Sequence, residues 1–193
     1  AAASLHALGP AAEPILATLG QVADPDLALA ALVRLVHAAG DGDELLGALA
    51  DDEGTAMRLL GVLGASEELG HHLARHPDHW RELADPTLGT TRAPAYAMRE
   101  SLLRAVGADP HDRVPVAGLA RRQALDALRV EYRRILLRLA ARDLAHDLAV
   151  DDTAAELSDL AVATLDAALA VARGVVANAG AARLAVIAMG KCG

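Results

Sequence analysis

The residues with the clearest chemical potential lie at the carboxyl end of the chain. Residues 184–189 form a short apolar run with β-branched members, which is typical of a buried strand. Gly190, Lys191 and Gly193 follow it directly, and Lys191 is the only lysine. Glycines after a strand let backbone N–H groups approach phosphate oxygens, and a lysine adds positive charge. The pattern therefore predicts a nucleotide- or phosphate-binding turn.

Two common phosphate-binding motifs match this turn incompletely. A Walker A loop would need glycine at position 185 and serine or threonine at position 192, where the chain has Ala185 and Cys192. A dinucleotide fingerprint would place Ala188 where its first glycine belongs. An ordinary strand-to-loop turn also fits, and Cys192 is then a filler. The local pattern alone leaves these alternatives open.

Arginines are concentrated along one predicted helix. Six lie on or near one flank: Arg122, Arg129, Arg133, Arg134, Arg138 and Arg142. They could contact an acidic partner surface or nucleotide phosphates, since guanidinium groups suit both. The alternative is a solvated face whose arginines pair with Asp126, Glu131 and Asp143. We favour the solvated face for most of them.

Four histidines, His71, His72, His76 and His79, form the only histidine cluster. His72 and His76 are one helical turn apart and could face a metal together. Pro77 breaks the helix before His79, however, and no further ligand pattern completes a site. We therefore predict a surface helix end.

Adjacent carboxylates occur at positions 51–53 and 151–152, each where a helix is predicted to begin. Acidic residues stabilise helix N-termini, so capping is their expected role. Thr153 and Glu156 have capping-box spacing and are predicted to open the second long helix. Trp80, the only tryptophan, is expected to anchor a core. These assignments leave the chain without a predicted catalytic or metal-binding residue.

The composition favours helices as the elements that position these residues. Of 193 residues, 53% are hydrophobic and only 2% aromatic, so the core must come from Leu, Val, Ile and Ala. One long helix is predicted from about residue 116 to about residue 146, with one face carrying Leu125, Leu128, Tyr132, Ile135 and Leu139. The next has Leu157, Ala161, Thr164, Ala168 and Val171 along one side.

The chain is therefore predicted to be mainly α, a helical bundle that ends in a β-strand. A single strand after so many helices implies a sheet outside the chain, because strand backbone groups need partners. We expect an all-helical region at 1–182, with a sub-boundary at 107–115, and the first strand and glycine loop of a truncated domain at 183–193.

Net charge, the length of apolar stretches and cysteine content indicate which partners and which cellular compartment to expect. The net charge of −8 argues against nonspecific nucleic-acid binding by the whole surface, which needs many phosphate-neutralising cations. The apolar stretches are shorter than the ~20 residues that span a bilayer. One cysteine excludes an internal disulfide framework, and residues 1–10 show no signal peptide. These features predict a cytoplasmic protein that binds neither membrane nor nucleic acid.

The last ten residues closely resemble the motif that opens the nucleotidyltransferase domains of glutamine synthetase adenylyltransferases. There an apolar strand runs into [GA]-x-G-K-x-G-G-x-E-L and then S-D-x-D. Ala188, Gly190, Lys191 and Gly193 match this pattern, and Cys192 falls at a variable position. The remaining glycine, the Glu-Leu and the paired aspartates lie beyond Gly193.

The resemblance extends upstream. Residues 128–144 resemble the arginine-rich helix of the family, whose closing phrase L-R-x-A-x-R-D-L has Arg138 and Arg142 at its arginine positions. Residues 64–80 resemble an earlier segment with the pattern S…L…H-P, matched by His76 and Pro77. The resemblance covers roughly residues 30–193 and is densest in the last third.

The resemblance implies an enzyme with two fused nucleotidyltransferase halves that controls glutamine synthetase by reversible adenylylation. The N-terminal half removes AMP by phosphorolysis, and the C-terminal half attaches AMP from ATP. The implied cofactors are Mg²⁺ and ATP or phosphate, and the implied partners are glutamine synthetase and a PII-type nitrogen-signalling protein. Gly190, Lys191 and Gly193 would bind phosphate, with Arg138 and Arg142 as further phosphate or partner contacts.

Because the metal-binding carboxylates of that family lie beyond Gly193, the chain alone is expected to be inactive and to bind no cofactor. A stand-alone helical interaction module and the start of a dinucleotide-binding enzyme are the alternative interpretations.

Overall fold

The computed structural model describes residues 12–88, 92, 94–145, 148–176 and 185–187, with side chains from Ile15 onward. Within these residues the protein is helical, which confirms the predicted mainly α fold. The α-helices, numbered along the chain, are α1 (Ala12–Leu19), α2 (Pro25–Ala38), α3 (Gly42–Asp51), α4 (Glu53–Ala65), α5 (Glu67–Arg75), α6 (Ala95–Ala105), α7 (Arg121–Leu144) and α8 (Val150–Val175). A 3-10 helix, Pro77–Ala84, lies between α5 and α6.

Side-chain caps fix where the early helices begin. Asp24, Asp41, Asp52 and Ser66 each accept a hydrogen bond from the backbone N–H three residues later. Asp24 is followed by a proline in the first turn of α2. The capping role predicted for the 51–53 carboxylates is confirmed for Asp52, and Glu53 lies in the first turn of α4.

The start of α8 differs from the prediction. The helix begins at Val150, after Ala149, so Thr153 lies within its first turn. The Thr153 hydroxyl donates to the Ala149 carbonyl at 3.2 Å and does not cap the helix. The predicted capping box is therefore wrong, because the helix has already started three residues earlier. Asp151 and Asp152 do lie in the first turn, where carboxylates are stabilising.

The chain divides into two compact units. Unit 1 draws on Ala1–Thr91 and Leu137–Leu148, and unit 2 on Arg92–Leu136 and Ala149–Gly193. Helix α7 contributes its first part to unit 2 and its last two turns to unit 1.

Unit 1 is built around a core of leucines from α2 to α5. Leu32, Leu35, Leu59, Leu60 and Leu63 are fully buried. Trp80 and Leu83 of the 3-10 helix join this core, as do Leu137 and Ala141 of α7. Trp80 is only 3% exposed, so its predicted role as a core anchor is confirmed.

Unit 2 is built on the packing of α6 against α8. Met98, Leu102 and Leu103 of α6 share a core with small residues of α8, among them Ala163 and Ala167. Small side chains on α8 let the two helices approach closely and let long α6 side chains fill the space between them. Gly107, with φ at +75°, ends the α6 segment in the left-handed conformation that glycine adopts without strain.

The two long helices match their predicted faces to different degrees. On α7, Leu128, Ile135 and Leu139 are buried, as their spacing predicts. On α8 only Val171 of the predicted stripe is buried, and Leu157 is exposed. The buried face is instead Leu160, Ala163, Ala167 and Ala170, about a quarter turn away.

The predicted terminal strand is not shown. Its described part, residues 185–187, has no regular structure, and Ile187 is 84% exposed. A strand is stable only when its backbone groups pair with another strand, and the described residues contain none. No described helix combines the length and apolar character needed to cross a membrane.

Candidate functional site

The predicted phosphate-binding residues Gly190, Lys191 and Gly193 lie outside the described residues, as does Cys192. Arg138 and Arg142 are described, and both lie in the part of α7 that belongs to unit 1.

Arg138 ties α7 to the 3-10 helix. Its Nη1 lies 3.3 Å from Oε2 of Glu82, with the Arg138 side chain 35% exposed. The guanidinium therefore neutralises a neighbouring carboxylate and still meets solvent. Such a group can hold two elements together and also contact an external anion.

Arg142 lies one turn further along the helix and is only 4% exposed. Burying a guanidinium is costly unless the protein supplies polar partners. At this depth Arg142 cannot reach a partner surface without a rearrangement of its neighbours. Its buried position favours a role in stabilising the end of α7 over direct contact with a phosphate or a partner protein.

Arg58, which the sequence analysis did not single out, is buried in α4 within unit 1. Its Nε donates to the carbonyl oxygen of Leu83 at 2.8 Å. Its Nη2 lies 3.5 Å from the Thr55 hydroxyl and 3.8 Å from an Asp52 carboxylate oxygen. The available signal was a single arginine followed by the apolar run 59–63.

The carboxylates of Glu82 and Asp85 lie close to these arginines. The pKa of Asp85 is lowered first by hydrogen bonds from the hydroxyl and N–H of Thr87, then by the positive charges of Arg138 and Arg58. We call Arg58, Glu82, Asp85 and Arg138 the arginine cluster. It holds α4, the 3-10 helix and α7 together.

A cleft of about 470 Å³ opens beside Arg58. Asp51 and Asp52 line it together with Arg58, Thr55 and Pro86. Two carboxylates beside one guanidinium do not favour an anionic ligand. The arrangement is suited to holding unit 1 together.

Replacing Arg58 with methionine is expected to lower the free energy of unfolding by about 1–3 kcal/mol, because a buried carbonyl loses its donor while the apolar stem is kept. Urea unfolding followed by far-ultraviolet circular dichroism measures the change. Arg34→Met, at an exposed arginine, is the matched control and should stay within about 0.5 kcal/mol of the parent. Equal effects in the two variants would contradict a structural role for Arg58.

Asp52 should make stability depend on pH. Hydrogen bonds from the Thr55 hydroxyl and N–H lower the pKa of Asp52, and the charge of Arg58 lowers it further. Its contribution is therefore present above the pKa of an unfolded aspartate, about 3.9, and is lost as pH falls through the lower folded pKa. We expect the free energy of unfolding to decline below about pH 4, and to decline less in Asp52→Asn. Asp51→Asn is the matched control, and an identical pH profile in all three proteins would contradict the assignment.

Elsewhere on α7, Arg129 and Arg134 pair with Asp126 and Glu131, the carboxylates that the sequence predicts as their partners, the first pair exposed and the second partly buried. Arg129 lies 3.0 Å from Asp126, and Arg134 lies 2.6 Å from Glu131. Glu131 also accepts a hydrogen bond from Ser101 of α6. The two ion pairs lie within α7, and the hydrogen bond from Ser101 connects α7 to α6.

The histidines do not form a simple surface helix end. His72 is buried, and its Nε2 lies 2.9 Å from Nδ1 of His79. The His76 ring lies 5.0 Å from the His72 ring and 5.4 Å from the His79 ring. The prediction is wrong for His72, because Pro77 starts a 3-10 helix that returns His79 to α5. Among the described residues, no group of three or more His, Cys, Asp or Glu side chains is arranged to hold a metal ion.

Comparison with known proteins identifies the family to which this helical chain belongs. The family model of glutamate-ammonia ligase adenylyltransferase matches residues 56–193, which include the arginine cluster and the glycine turn. The chain belongs to the glutamate-ammonia ligase adenylyltransferase family.

Curated relatives in this adenylyltransferase family support the assignment along almost the whole chain. A protein of Streptomyces coelicolor is 48% identical over 187 residues, covering 94% of this chain. Relatives from Cutibacterium acnes and Mycolicibacterium smegmatis are 44% and 41% identical, covering 88% and 93% of it. Each is named bifunctional glutamine synthetase adenylyltransferase/adenylyl-removing enzyme.

This chain spans only 17 to 18% of the length of those adenylyltransferases. No solved structure matches it significantly.

Proposed function

We propose that the chain is the helical segment preceding the first nucleotidyltransferase domain of an enzyme that attaches AMP to glutamine synthetase and removes it. The observation that carries this proposal is the 48% identity, over 94% of the chain, to the Streptomyces coelicolor protein of that name. In this proposal residues 1–182 are the helical region and residues 183–193 are the first strand and glycine loop of the catalytic domain. That strand would pair with a sheet formed by later parts of the enzyme.

Within such an enzyme, Gly190, Lys191 and Gly193 are proposed to contact phosphate oxygens. The two glycines allow close backbone approach, and the lysine ammonium supplies a point charge. Mg²⁺, held by the carboxylates of the catalytic domain, would neutralise the charge of ATP or phosphate when bound. Arg138 is the second candidate for a phosphate or partner contact, and Arg142 is proposed to support it from within the helix.

The partner we propose is glutamine synthetase, the protein that the relatives' names identify as their substrate. A PII-type nitrogen-signalling protein is the proposed regulator, and the cytoplasm is the proposed location. The family resemblance supports the regulator, and the single cysteine supports the location.

The 193-residue chain by itself is expected neither to transfer nor to remove AMP. It contains no S-D-x-D sequence, so the paired carboxylates that the reaction requires are absent from it. Incubation with adenylylated glutamine synthetase, phosphate and Mg²⁺ should release no ADP above background. Turnover by the isolated chain would show that the catalytic centre lies elsewhere than proposed.

A chimera gives the direct test of function. This chain replaces the matching 187-residue segment of the Streptomyces coelicolor relative. We expect both AMP attachment and AMP removal within about tenfold of the parent enzyme, a change in barrier of about 1.4 kcal/mol. A matched deletion that lacks the segment should lose AMP removal. A folded but inactive chimera would contradict the proposed function.

A further inference from the structure

We propose that an open apolar groove in unit 2 is a docking site for an amphipathic α-helix of a partner protein that carries acidic residues along its edges. The groove lies between the first part of α7 and the second half of α8. None of the described residues that line it belongs to the arginine cluster.

Two adjoining depressions of about 330 Å³ each form the groove. Both are lined by Leu125, so they adjoin at that residue. The floor consists of Leu125, Leu128, Tyr132, Ala168 and Val171. The hydroxyl of Thr164, at one end, donates to the Leu160 carbonyl at 2.7 Å and so is satisfied inside α8. The floor is therefore apolar, and the Thr164 hydroxyl at its end does not need a hydrogen-bond partner from the ligand.

The dimensions suit a short helix. Thr164 lines the same depression as Tyr132, and Val175 the same depression as Arg121, so the two walls run in opposite directions. Arg121 and Arg133 are twelve residues apart on α7, which corresponds to about 18 Å. About three turns of a bound helix would lie along this length, with apolar anchors at three- and four-residue steps.

The groove also lies beside an apolar face of α8 that the fold leaves uncovered. Leu157, Leu165 and Val175 lie within about a quarter turn of one another around α8 and are each 41 to 50% exposed. Single exposed hydrophobic residues are normal, but a row beside a concave apolar floor is typical of an interaction surface. Leu157 belongs to the side of the helix that the sequence pattern predicted to be apolar.

Charge determines which helix fits. Arg121, Arg129 and Arg133 line the groove, and its described lining contains no aspartate or glutamate, although the chain carries a net charge of −8. Arg129 pairs with Asp126 at 3.0 Å in a largely exposed geometry that an incoming carboxylate can exchange. Positive groove edges favour acidic edges on the occupant and disfavour basic ones.

A peptide selection tests the proposal on the whole chain. The library presents helices of about 14 residues, with a fixed apolar stripe and with Glu, Lys or Gln varied along its edges. We expect enrichment of glutamate and affinities that weaken as salt rises. Arg121→Glu and Val175→Asp should each weaken the selected peptides about tenfold. Arg34→Glu makes the same charge change outside the groove and should leave binding unchanged. Circular dichroism confirms that each variant is folded.

Several outcomes would overturn the proposal. They are the recovery of no binder, the enrichment of lysine or glutamine edges, and acidic peptides that bind Arg121→Glu and the parent equally well. The chimera supplies a further arm. If the selected peptides bind the isolated chain but not the chimera, the rest of the enzyme covers the groove and a partner protein does not. This arm measures binding, so it is independent of whether the chimera is active.

Discussion

Replacing Trp80 with alanine is expected to lower the free energy of unfolding by about 3–5 kcal/mol, a large part of the stability of a domain of this size. The indole is 3% exposed and joins the leucine core of unit 1 from the 3-10 helix. That element is only eight residues long, so its own backbone hydrogen bonds cannot hold it in place. Its position therefore depends on Trp80 and Leu83 in the core. Without the indole, the 3-10 helix would lose its main anchor.

Urea unfolding followed by far-ultraviolet circular dichroism is the appropriate measurement, because the variant lacks the only tryptophan and its fluorescence. Tyr96→Ala is the matched control, since it also removes an aromatic ring, but one that is exposed on α6. It should change the free energy of unfolding by no more than about 0.5 kcal/mol. A loss below about 1 kcal/mol in Trp80→Ala would mean that the core closes over the missing ring.

The helices could be predicted from the sequence because their ends are determined locally. Asp24 with Pro25, Ser66 and Gly107 each act within one turn of the backbone, through a cap, a fixed φ or a left-handed residue. The start of α8 was misplaced for a related reason. Asp151 and Thr153 both suit a helix N-terminus, and composition alone cannot decide which of them lies inside the first turn.

Burial could be predicted less well, because it depends on contacts between distant residues. Alanine is present on several faces of α8, so a periodic apolar pattern does not identify the face that α6 covers. His72 illustrates the same limit. Its burial requires His79 to return across the 3-10 helix, and no local pattern around His72 contains that information.

The type of candidate site, a phosphate-binding turn, could be predicted from its motif, but its three-dimensional arrangement could not. The glycine turn was identified because its residue types have a physical use next to phosphate, while the described residues supply no partner strand for residues 185–187. Arg58 was missed because an arginine within a helix is usually a surface residue. Its burial involves a hydrogen bond to the Leu83 carbonyl, 25 residues away in the chain, which no local pattern indicates.

Replacing Lys191 with alanine in the chimera is expected to reduce the catalytic efficiency of AMP removal roughly ten- to a hundredfold. The loss of one charge-assisted contact to phosphate is of order 1.5–3 kcal/mol, which gives this range. Lys191 would position phosphate or nucleotide beside the metal-binding carboxylates without accepting a proton. Lys191→Arg should therefore recover only part of the activity, because the planar guanidinium is bulkier than the ammonium group it replaces.

The measurement is the rate of AMP removal against phosphate concentration for the chimera and its two Lys191 variants. A phosphate contact made in the ground state raises the KM for phosphate, whereas one made only in the transition state lowers kcat. Arg34→Ala removes a cation from unit 1 at an exposed position and is the matched control, with melting temperature measured for all proteins. If Lys191→Ala has parent kinetics, the lysine is a solvated loop residue. The phosphate-binding interpretation of the turn then loses its main chemical support, whereas the family assignment, which rests on identity along the whole chain, is unaffected.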